Sequence, residues 1–569
     1  MTRHTIIRAH AALPALALAS ALAVAGVAAA QTARDLLPPP GDGLAERIDR
    51  LEPRAPAVPA ARPDAPASGP AFRLEAVVVD GAAAIPADVL RPLWEDLLGR
   101  PVTLPELEAI AAAIGARYRD EGFVLSQAVV PAQTVEGGVV RIQVVEGFVD
   151  RVAVEGASPA AATWTERRFA RAASGRPLDI ADLERAVLLA RDSLGGGVET
   201  VLGPSPETLA AADLTVLVDR RPVSGFAAID NRGSRLYGDV TATAGVTAFG
   251  ALGGTDQLDL LVSGDPVDGR LGYIRGDAAF PVEAGDGGVF DGATIGLRAD
   301  ASHGRPSTVV EDLRLLSDEL GFGAQFFVPF VRSRAGNVFG RLGLDWRRSD
   351  TVTRFGGEEV EQRDTVLGLE VGASFDRADT RGGVSIADIT VRQGLDAAGA
   401  GIGADGPAAA TPTFTRAYGR LARLQRLPDD WSLFAEALWQ VAGNILPEAE
   451  RFALGGSTIG RGFAPGNVTG DSGFGARLEL RRQVGLGGEG RAAELYGFGD
   501  AGRARDRAEA RDGDRWESLA SVGIGARIDL SPRLTLTPEI ARQVEGRPAD
   551  RPGRDGGEIR GFIGVVARF

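Results

Sequence analysis

The sequence predicts a membrane-spanning β-barrel of about sixteen antiparallel strands, preceded by two small α/β units of β-α-α-β-β order. Three features of the 569-residue chain lead to this prediction. Helical periodicity stops near Ser224, glycine-rich alternation then continues to the last residue, and the stretch before Ser224 contains the β-α-α-β-β pattern twice. Alternating strands of roughly ten residues, apolar on one face and polar or small on the other, are typical of membrane barrels.

The N-terminus has the order of a secretory signal peptide. Arg3 and Arg8 precede an apolar run from Ala11 to Ala29, and small residues continue to Ala30. We therefore expect residues 1–30 to be a signal peptide that is cleaved after Ala30. This run is the only one near the roughly 20 apolar residues that a spanning helix requires, so a helical membrane protein is not expected.

Composition argues against several function classes. The chain has no cysteine, and two of its three histidines lie in the predicted signal peptide, which leaves His303 in a loop-like stretch. These residues supply neither a thiol nucleophile, a His-rich metal site nor a persuasive catalytic triad, so we expect no enzyme, no metal and no other cofactor. The net charge of −14 argues against a nucleic-acid partner, which requires a basic face.

Residues 31–71 predict a short helix on a stiff tether. Leu44, Ile48 and Leu51 have amphipathic helical spacing, and six prolines follow between positions 53 and 70. Proline-rich segments are extended and act as semi-rigid spacers. A disordered spacer with a helix that never docks explains the same residues, and both interpretations stay open.

The first α/β unit is predicted over residues 72–147 and the second over residues 148–221. In the first unit, Thr103 and Glu106 have the spacing of a capping box at the start of the second helix. The predicted elements of the first unit are strands at 72–79, 123–130 and 139–145 and helices at 86–98 and 103–122. Those of the second unit are strands at 149–154, 198–202 and 214–218 and helices near 164–172 and 179–194.

The barrel is predicted over residues 222–569. Its alternation is clearest at 240–248, 367–375 and 520–530. A soluble β-sandwich also alternates, but over so many strands it would need two packed sheets or several domains. The chain ends on an aromatic residue, Phe569, which terminates an alternating strand.

Residues 455–482 resemble the long sixth-loop motif of the Omp85 superfamily. The centre of that motif is an Arg-Gly-Tyr/Phe triplet, here Arg461-Gly462-Phe463, preceded by Gly460 where a β-branched residue is commoner in the family. Phe498-Gly499-Asp500-Ala501-Gly502 resembles the family's Phe-x-Asp-x-Gly motif on an inner barrel wall. The resemblance implies that the loop around 444–472 folds into the lumen and that Arg461 pairs with Asp500, which two parallel hydrogen bonds would favour.

The two α/β units resemble POTRA domains. Two of them before a sixteen-stranded barrel resemble the two-partner secretion transporters (TpsB, ShlB/FhaC type), whereas general barrel-assembly proteins carry more repeats. Supporting stretches are Tyr118–Ser126 with Val130–Gln133, and Asp230–Ser234 at the barrel entry. By the same resemblance, Phe569 is similar to the signal that delivers barrels to their assembly machinery, and the helix within 31–71 is similar to a pore plug.

The resemblance implies an outer-membrane exporter with periplasmic POTRA domains. Its partner would be one large, β-rich secreted exoprotein, a TpsA-type adhesin or haemolysin, which crosses unfolded and without nucleotide hydrolysis. The residues agree with the absence of a nucleotide, because Gly485–Gly490 matches Gly-x-Gly-x-x-Gly but opens no helix and predicts a hairpin turn. The lipid bilayer and lipopolysaccharide would surround the barrel, and the barrel-assembly machinery would insert it.

An extended client can add a strand to an exposed sheet edge. We nominate the predicted strand at 123–130 of the first unit, together with the helix beside it. The nominated client-binding residues are Ile114, Tyr118, Phe123, Leu125 and Val129. These apolar side chains are also what a small core requires. Two other functions stay open: a factor that inserts many outer-membrane proteins, and a passive porin, which would need neither the α/β units nor the loop motif.

Overall fold

The computed structural model describes residues 71–282, 288–307, 314–355, 357–403, 410–487, 491–507, 515–549 and 556–569. The predicted signal peptide and nearly all of the predicted plug helix and tether lie outside these residues. Within the described ranges, no helix has both the length and the apolar character needed to cross a bilayer.

The first α/β unit has a three-stranded sheet in which β5 lies between β2 and β4, so that β2 and β4 are its edges. Its strands are β1 Phe72–Arg73, β2 Ala76–Asp80, β3 Pro101–Val102, β4 Gln127–Val129 and β5 Val139–Val145, and its helices are α1 Ala87–Leu90 and α2 Leu104–Asp120. The capping box at α2 is confirmed, because the Glu106 carboxylate accepts hydrogen bonds from the Thr103 backbone N–H (2.7 Å) and hydroxyl (2.8 Å).

Two predicted elements of this unit were wrong in extent. The helix expected at 86–98 is α1 followed by two 3₁₀ turns, Arg91–Leu93 and Glu95–Leu97, since Pro92 has no backbone N–H for an α-helical hydrogen bond. The strand expected at 123–130 shortens to β4, because the residues from Phe123 to Ser126 form turns at the end of α2.

The second α/β unit follows with no linker. Its elements are β6 Phe148–Glu155, α3 Pro159–Ala172, α4 Ile180–Leu194, β7 Gly196–Pro204 and β8 Ala211–Arg220, with β8 at the centre of the sheet. Backbone hydrogen bonds join the two units, from Leu178 N to Gly147 O (2.9 Å) and from Ile180 N to Gly122 O (3.1 Å). These bonds restrict the angle between the units.

Sixteen antiparallel strands form one closed barrel, as predicted, and β26 pairs with β9 to close it. The first eight are β9 Val223–Asp230, β10 Thr241–Phe249, β11 Gln257–Gly264, β12 Leu271–Pro281, β13 Thr294–Gly304, β14 Arg314–Arg332, β15 Gly336–Phe355 and β16 Glu358–Ala378. The other eight are β17 Gly383–Leu395, β18 Thr415–Arg426, β19 Trp431–Ala442, β22 Ser472–Gly485, β23 Ala492–Asp506, β24 Arg515–Ser531, β25 Leu534–Glu545 and β26 Ile559–Arg568.

The alternation places apolar side chains outside and charged ones inside. Val371 and Ile524 are exposed on the outer face, whereas Arg392 and Glu479 are buried within the lumen. His303 was expected in a loop but lies in β13, because strand pairing extends to Gly304. The hairpin predicted at 485–490 is confirmed by the pairing of Gly485 with Ala492, although residues 488–490 are outside the described ranges.

The second α/β unit rests on one end of the barrel. Arg168 donates to the Asp291 carboxylate (3.3 Å) in the β12–β13 connection. Next to it, Arg332 at the end of β14 donates two hydrogen bonds of 2.9 Å to Asp192. These contacts identify the end of the barrel on which the second α/β unit rests.

Candidate functional site

The connection between β19 and β22 is the sixth at the end opposite the α/β units, and it folds back into the lumen. It contains a 3₁₀ turn at Glu448–Glu450 and a small hairpin of β20 Phe452–Leu454 and β21 Val468–Gly470. An apolar cluster joins it to the barrel wall, with Leu454, Ile459, Phe463 and Val468 from the loop and Ala504 and Leu519 from β23 and β24. The predicted inward-folded loop at 444–472 is therefore present, and it is called the sixth loop below.

Arg461 at the tip of the sixth loop is the centre of a buried ion network. Only 3 % of this residue is exposed. Its Nη1 lies 3.1 Å from the Glu539 carboxylate of β25, and its Nη2 donates to the Glu479 carboxylate of β22. The guanidinium also stacks over the Phe498 ring, 4.3 Å from its centroid. A planar guanidinium shared by two carboxylates and a ring has a fixed position and a fixed orientation.

The prediction that the Arg461 guanidinium pairs with Asp500 was wrong about the groups that meet. The structure brings the two residues together, but Asp500 accepts from the backbone N–H groups of Gly460 (2.7 Å) and Arg461 (3.4 Å) and from the Ser521 hydroxyl (2.6 Å). The short aspartate lies beneath the loop backbone, whereas the longer glutamates on β22 and β25 reach the guanidinium. Asp500 therefore fixes the main chain of the tip and the two glutamates fix its side chain.

Glu479 and Glu539 were missed in the sequence, and both have further partners. Glu479 has no exposed side-chain surface, and it also pairs with Arg481 (2.7 Å) and Arg527 (3.4 Å). Glu539 accepts from the Tyr496 hydroxyl (2.7 Å) and pairs with Arg232 (2.9 Å), which belongs to the predicted barrel-entry stretch. Alternation could have indicated that both glutamates face the lumen, since each lies between outward-facing apolar residues of its strand.

Glycines allow the loop tip to approach the wall. Gly460 has φ +85°, and a Cβ there would lie 2.7 Å from Leu519 Cδ1. A Cβ on Gly462 would lie 3.1 Å from Gln543 Cγ, and the Gly462 carbonyl accepts from Gln543 Nε2 at 2.8 Å. A Cβ on Gly502 would lie 2.8 Å from Leu454 Cδ1. A Cβ would thus be crowded at Gly460 and Gly502 and tight at Gly462, and Gly460 also has a left-handed backbone that favours glycine.

A second anchor, not predicted from the sequence, holds the other side of the sixth loop. Glu450 is buried, and its carboxylate lies 2.7 Å from Arg416 of β18 and 3.1 Å from Arg392 of β17. Its carbonyl accepts from Arg416 Nη1 (2.9 Å) and Gln440 Nε2 (3.0 Å). The loop is thus attached to the wall on both sides of its point of origin.

The predicted client-binding residues are mostly in cores. Ile114 and Tyr118 are at most 1 % exposed, so their proposed direct contact with a client is incompatible with this conformation. Burial, together with the Glu146 carboxylate that accepts the Tyr118 hydroxyl (2.8 Å), raises the pKa of that hydroxyl well above its usual range. Phe123 packs beside Tyr118, and Leu125 packs against the core of the second unit. Only Val129, on edge strand β4, is openly exposed.

Phe569 lies at the closure of the barrel. Its N–H donates to the Gly225 carbonyl (3.0 Å) and its carbonyl accepts from the Gly225 N–H (2.9 Å), which extends the pairing of β26 with β9. Its ring is exposed on the outer face. The role of Phe569 as an assembly signal stays a prediction.

The sixth-loop site is suited to holding the loop itself in place. Among the described residues, there is no group of three or more histidine, cysteine, aspartate or glutamate side chains arranged to hold a metal ion. The buried charges of the site are instead paired with one another, which favours a fixed structure inside a pore.

Comparisons with known proteins agree with this architecture. Residues 72–147 match the family model "POTRA domain, ShlB-type", and residues 317–528 match "Haemolysin secretion/activation protein ShlB/FhaC/HecB". Among curated relatives, the outer membrane transporter CdiB of Escherichia coli is 28 % identical over 193 residues, 33 % of this chain and 32 % of the relative. The heme/hemopexin transporter protein HuxB of Haemophilus influenzae strain 86-028NP is 24 % identical over 174 residues, 30 % of this chain and 31 % of the relative. The match thus spans about a third of these relatives.

Solved structures extend the likeness in fold to nearly the whole chain. CdiB from Escherichia coli has a TM-score of 0.74 at 18 % identity and covers 95 % of this chain and 98 % of that one. CdiB from Acinetobacter baumannii has a TM-score of 0.64 at 15 % identity and covers 96 % and 99 %. In Omp85 homologues the POTRA domains are periplasmic. The chain belongs to the ShlB/FhaC/HecB family of two-partner secretion (TpsB) transporters, within the Omp85 superfamily.

Proposed function

We propose that this protein exports one large, β-rich partner exoprotein across the outer membrane, without nucleotide hydrolysis. The client would be recognised in the periplasm at the POTRA domains and would pass through the barrel unfolded. The single observation that carries the proposal is the sixth loop, which is anchored through Arg461 inside a lumen lined by paired charges. A loop with this attachment controls how much of the lumen is available to a translocating chain.

Client recognition is assigned to edge strand β4. Among the described residues, this strand pairs with β5 on one side only, and Val129 exposes 47 % of its surface. A free edge offers backbone hydrogen bonds to an extended segment whatever its side chains are. Ile114, Tyr118, Phe123 and Leu125 support this edge by forming the cores behind it.

The bilayer and lipopolysaccharide of the outer membrane are the proposed surroundings of the barrel, and the barrel-assembly machinery is the proposed inserter. The proposed export uses no nucleotide.

The test is secretion of a co-encoded, large β-rich exoprotein by cells that carry the wild-type chain, no transporter, or Arg461→Ala. Barrel abundance is measured in each strain. We expect the client in the medium only with the wild-type chain, with the variant barrel still present in the membrane. Normal client secretion without the transporter, together with depletion of many outer-membrane proteins, would support a barrel-insertion factor instead.

A further inference from the structure

A row of charged side chains crosses four neighbouring strands on the outer surface of the barrel. The pairing register places His303 of β13 opposite Asp318 of β14, Asp318 opposite Asp350 of β15, and Asp350 opposite Arg363 of β16. Side chains two residues apart on a strand share a face. Leu320 is exposed on the lipid-facing side, so the charged row faces that side too.

The row lies where the apolar belt of the barrel ends. On β14 the exposed apolar residues extend from Phe330, near the periplasmic end, to Leu320. These positions advance about ten residues, which at about 3.3 Å per residue and a tilt of about 40° gives a rise of about 25 Å. That rise equals the usual height of the apolar band, and Phe322 stacked on Trp346 (6.0 Å between ring centroids) forms an aromatic girdle near its upper limit.

A groove of about 670 Å³ adjoins this row. Ile274, Leu320 and Trp346 line its apolar part, and His303, Asp318, Arg348 and Asp350 line its charged part. The order from apolar to charged follows the strands from the belt toward the outside. An amphiphile with its hydrocarbon in the belt and its head group at the outer leaflet matches this order.

The arginines around the row retain unused donors. Arg348 and Arg363 each bond to Asp350 through Nε (2.8 and 2.5 Å), and their second bonds use Nη2, toward Asp350 and Glu361. Arg305 donates from Nε to the Nε2 atom of His303 (2.6 Å). Among the contacts of the described residues, the Nη1 groups of all three arginines have no acceptor. Exposed guanidinium groups with two N–H donors to offer are well suited to phosphate.

We propose that this groove is a binding site for lipopolysaccharide of the outer leaflet. The phosphates of its lipid moiety contact Arg305, Arg348 and Arg363, and an acyl chain lies along Ile274, Leu320 and Trp346. A phosphorylated glycolipid fits because the unused N–H donors beside the groove belong to arginines. The lining carboxylates are already paired, Asp318 with His303 and Asp350 with Arg348 and Arg363. The inference rests on the proposed outer-membrane surroundings of the barrel, but the site is separate from the lumen and does not depend on client export.

The experiment compares full-length wild-type protein with the double variant Arg348→Gln, Arg363→Gln. Arg482→Gln is the matched control, since Arg482 lies on β22 near the periplasmic end, where it stacks on Trp431 (5.3 Å). Each protein is purified from outer membranes in mild detergent, and retained lipopolysaccharide is measured by native mass spectrometry. Heat-modifiable gel mobility confirms that each barrel is folded.

We expect a severalfold loss of retained lipopolysaccharide in the double variant and none in the Arg482 variant. A second arm titrates delipidated protein with lipopolysaccharide or phosphatidylglycerol, and we expect preferential binding of lipopolysaccharide only by proteins that keep both arginines. Equal retention in all three proteins would overturn the proposal. Equal binding of phosphatidylglycerol would overturn it as well, since any anionic lipid would then suffice.

Discussion

The sixth loop and the edge strand β4 are the two regions on which the proposed function depends, and they are built in opposite ways. The loop tip is held by a buried arginine whose carboxylate partners have further partners of their own. Strand β4 has three residues, and one of its sides has no strand partner in the part of the chain that the structure describes. Redundant buried contacts specify one conformation, whereas an open backbone edge accepts different partners. We infer that the sixth loop has one fixed position in the lumen. At the edge of β4, the client would supply the backbone hydrogen bonds that the strand itself leaves open.

Among variants that keep the lumenal charges, the largest expected effect comes from Arg461→Lys. Lysine keeps the charge but cannot share two carboxylates and stack on Phe498, so we expect client secretion to fall about tenfold. Barrel abundance should stay near wild type because Glu479 keeps Arg481 and Arg527, and Glu539 keeps Arg232. Immunoblots of the medium and of heat-modifiable barrel measure both quantities.

The matched control is Arg298→Lys, which alters a lumenal pair with Asp277 (3.0 Å) on the wall away from the sixth loop. Equal losses of secretion in the two variants would show that lumenal charge in general, and not the loop anchor, is what matters.

A smaller loss is expected from Gly460→Ala. The left-handed backbone at φ +85° costs about 1 kcal/mol for a residue with a Cβ, and the added methyl would contact Leu519. Gly253→Ala has the same backbone requirement at φ +89° with open space around it. We expect secretion to fall severalfold for Gly460→Ala and to stay normal for Gly253→Ala. Equal secretion by the two variants would show that close packing at the loop tip does not matter for export.

Glu450→Gln should have a moderate effect. Arg392 keeps Asp345 and Glu370, and Arg416 keeps the carbonyl of residue 450, so the wall stays paired while one side of the loop loosens. We expect more frequent current fluctuations of the purified barrel in planar bilayers. Secretion should fall by about twofold, since both arginines keep another partner and no buried charge is left unpaired. Unchanged current traces would show that the second anchor does not restrain the loop.

The smallest effect is expected at the edge strand. Val129→Asp places a charge beside the backbone edge that a client would extend, whereas Val78→Asp does so on β2 at the other edge of the same sheet. We expect Val129→Asp alone to weaken binding of a client fragment to the full-length protein, measured by titration. A greater loss for Val78→Asp would assign recognition to β2.

Much of the fold followed from sequence periodicity, because an alternating strand shows which face is apolar and a barrel repeats this many times. The pairing of charged side chains inside the lumen could not be predicted from periodicity. The Arg461 motif identified the loop, but whether Asp500, Glu479 or Glu539 receives the guanidinium depends on strand register and side-chain length, which no single segment encodes. Phe123 and Leu125 were predicted to lie in a strand because of their local β propensity. Propensity carries no information on the helix end and the neighbouring domain that cover them.

The central claim is that Arg461, through Glu479 and Glu539, holds the tip of the sixth loop against the barrel wall. Because the chain has no cysteine, Gly462→Cys with Ser521→Cys introduces one pair, and a Cβ at 462 would lie 3.2 Å from Ser521 Cβ. That separation is slightly below the usual disulfide range of about 3.5–4.5 Å, so a small shift suffices. We predict rapid oxidation of this pair in membranes, and much slower oxidation when Arg461→Ala is added but not when Arg298→Ala is added. Equal oxidation rates with and without Arg461 would contradict the claim.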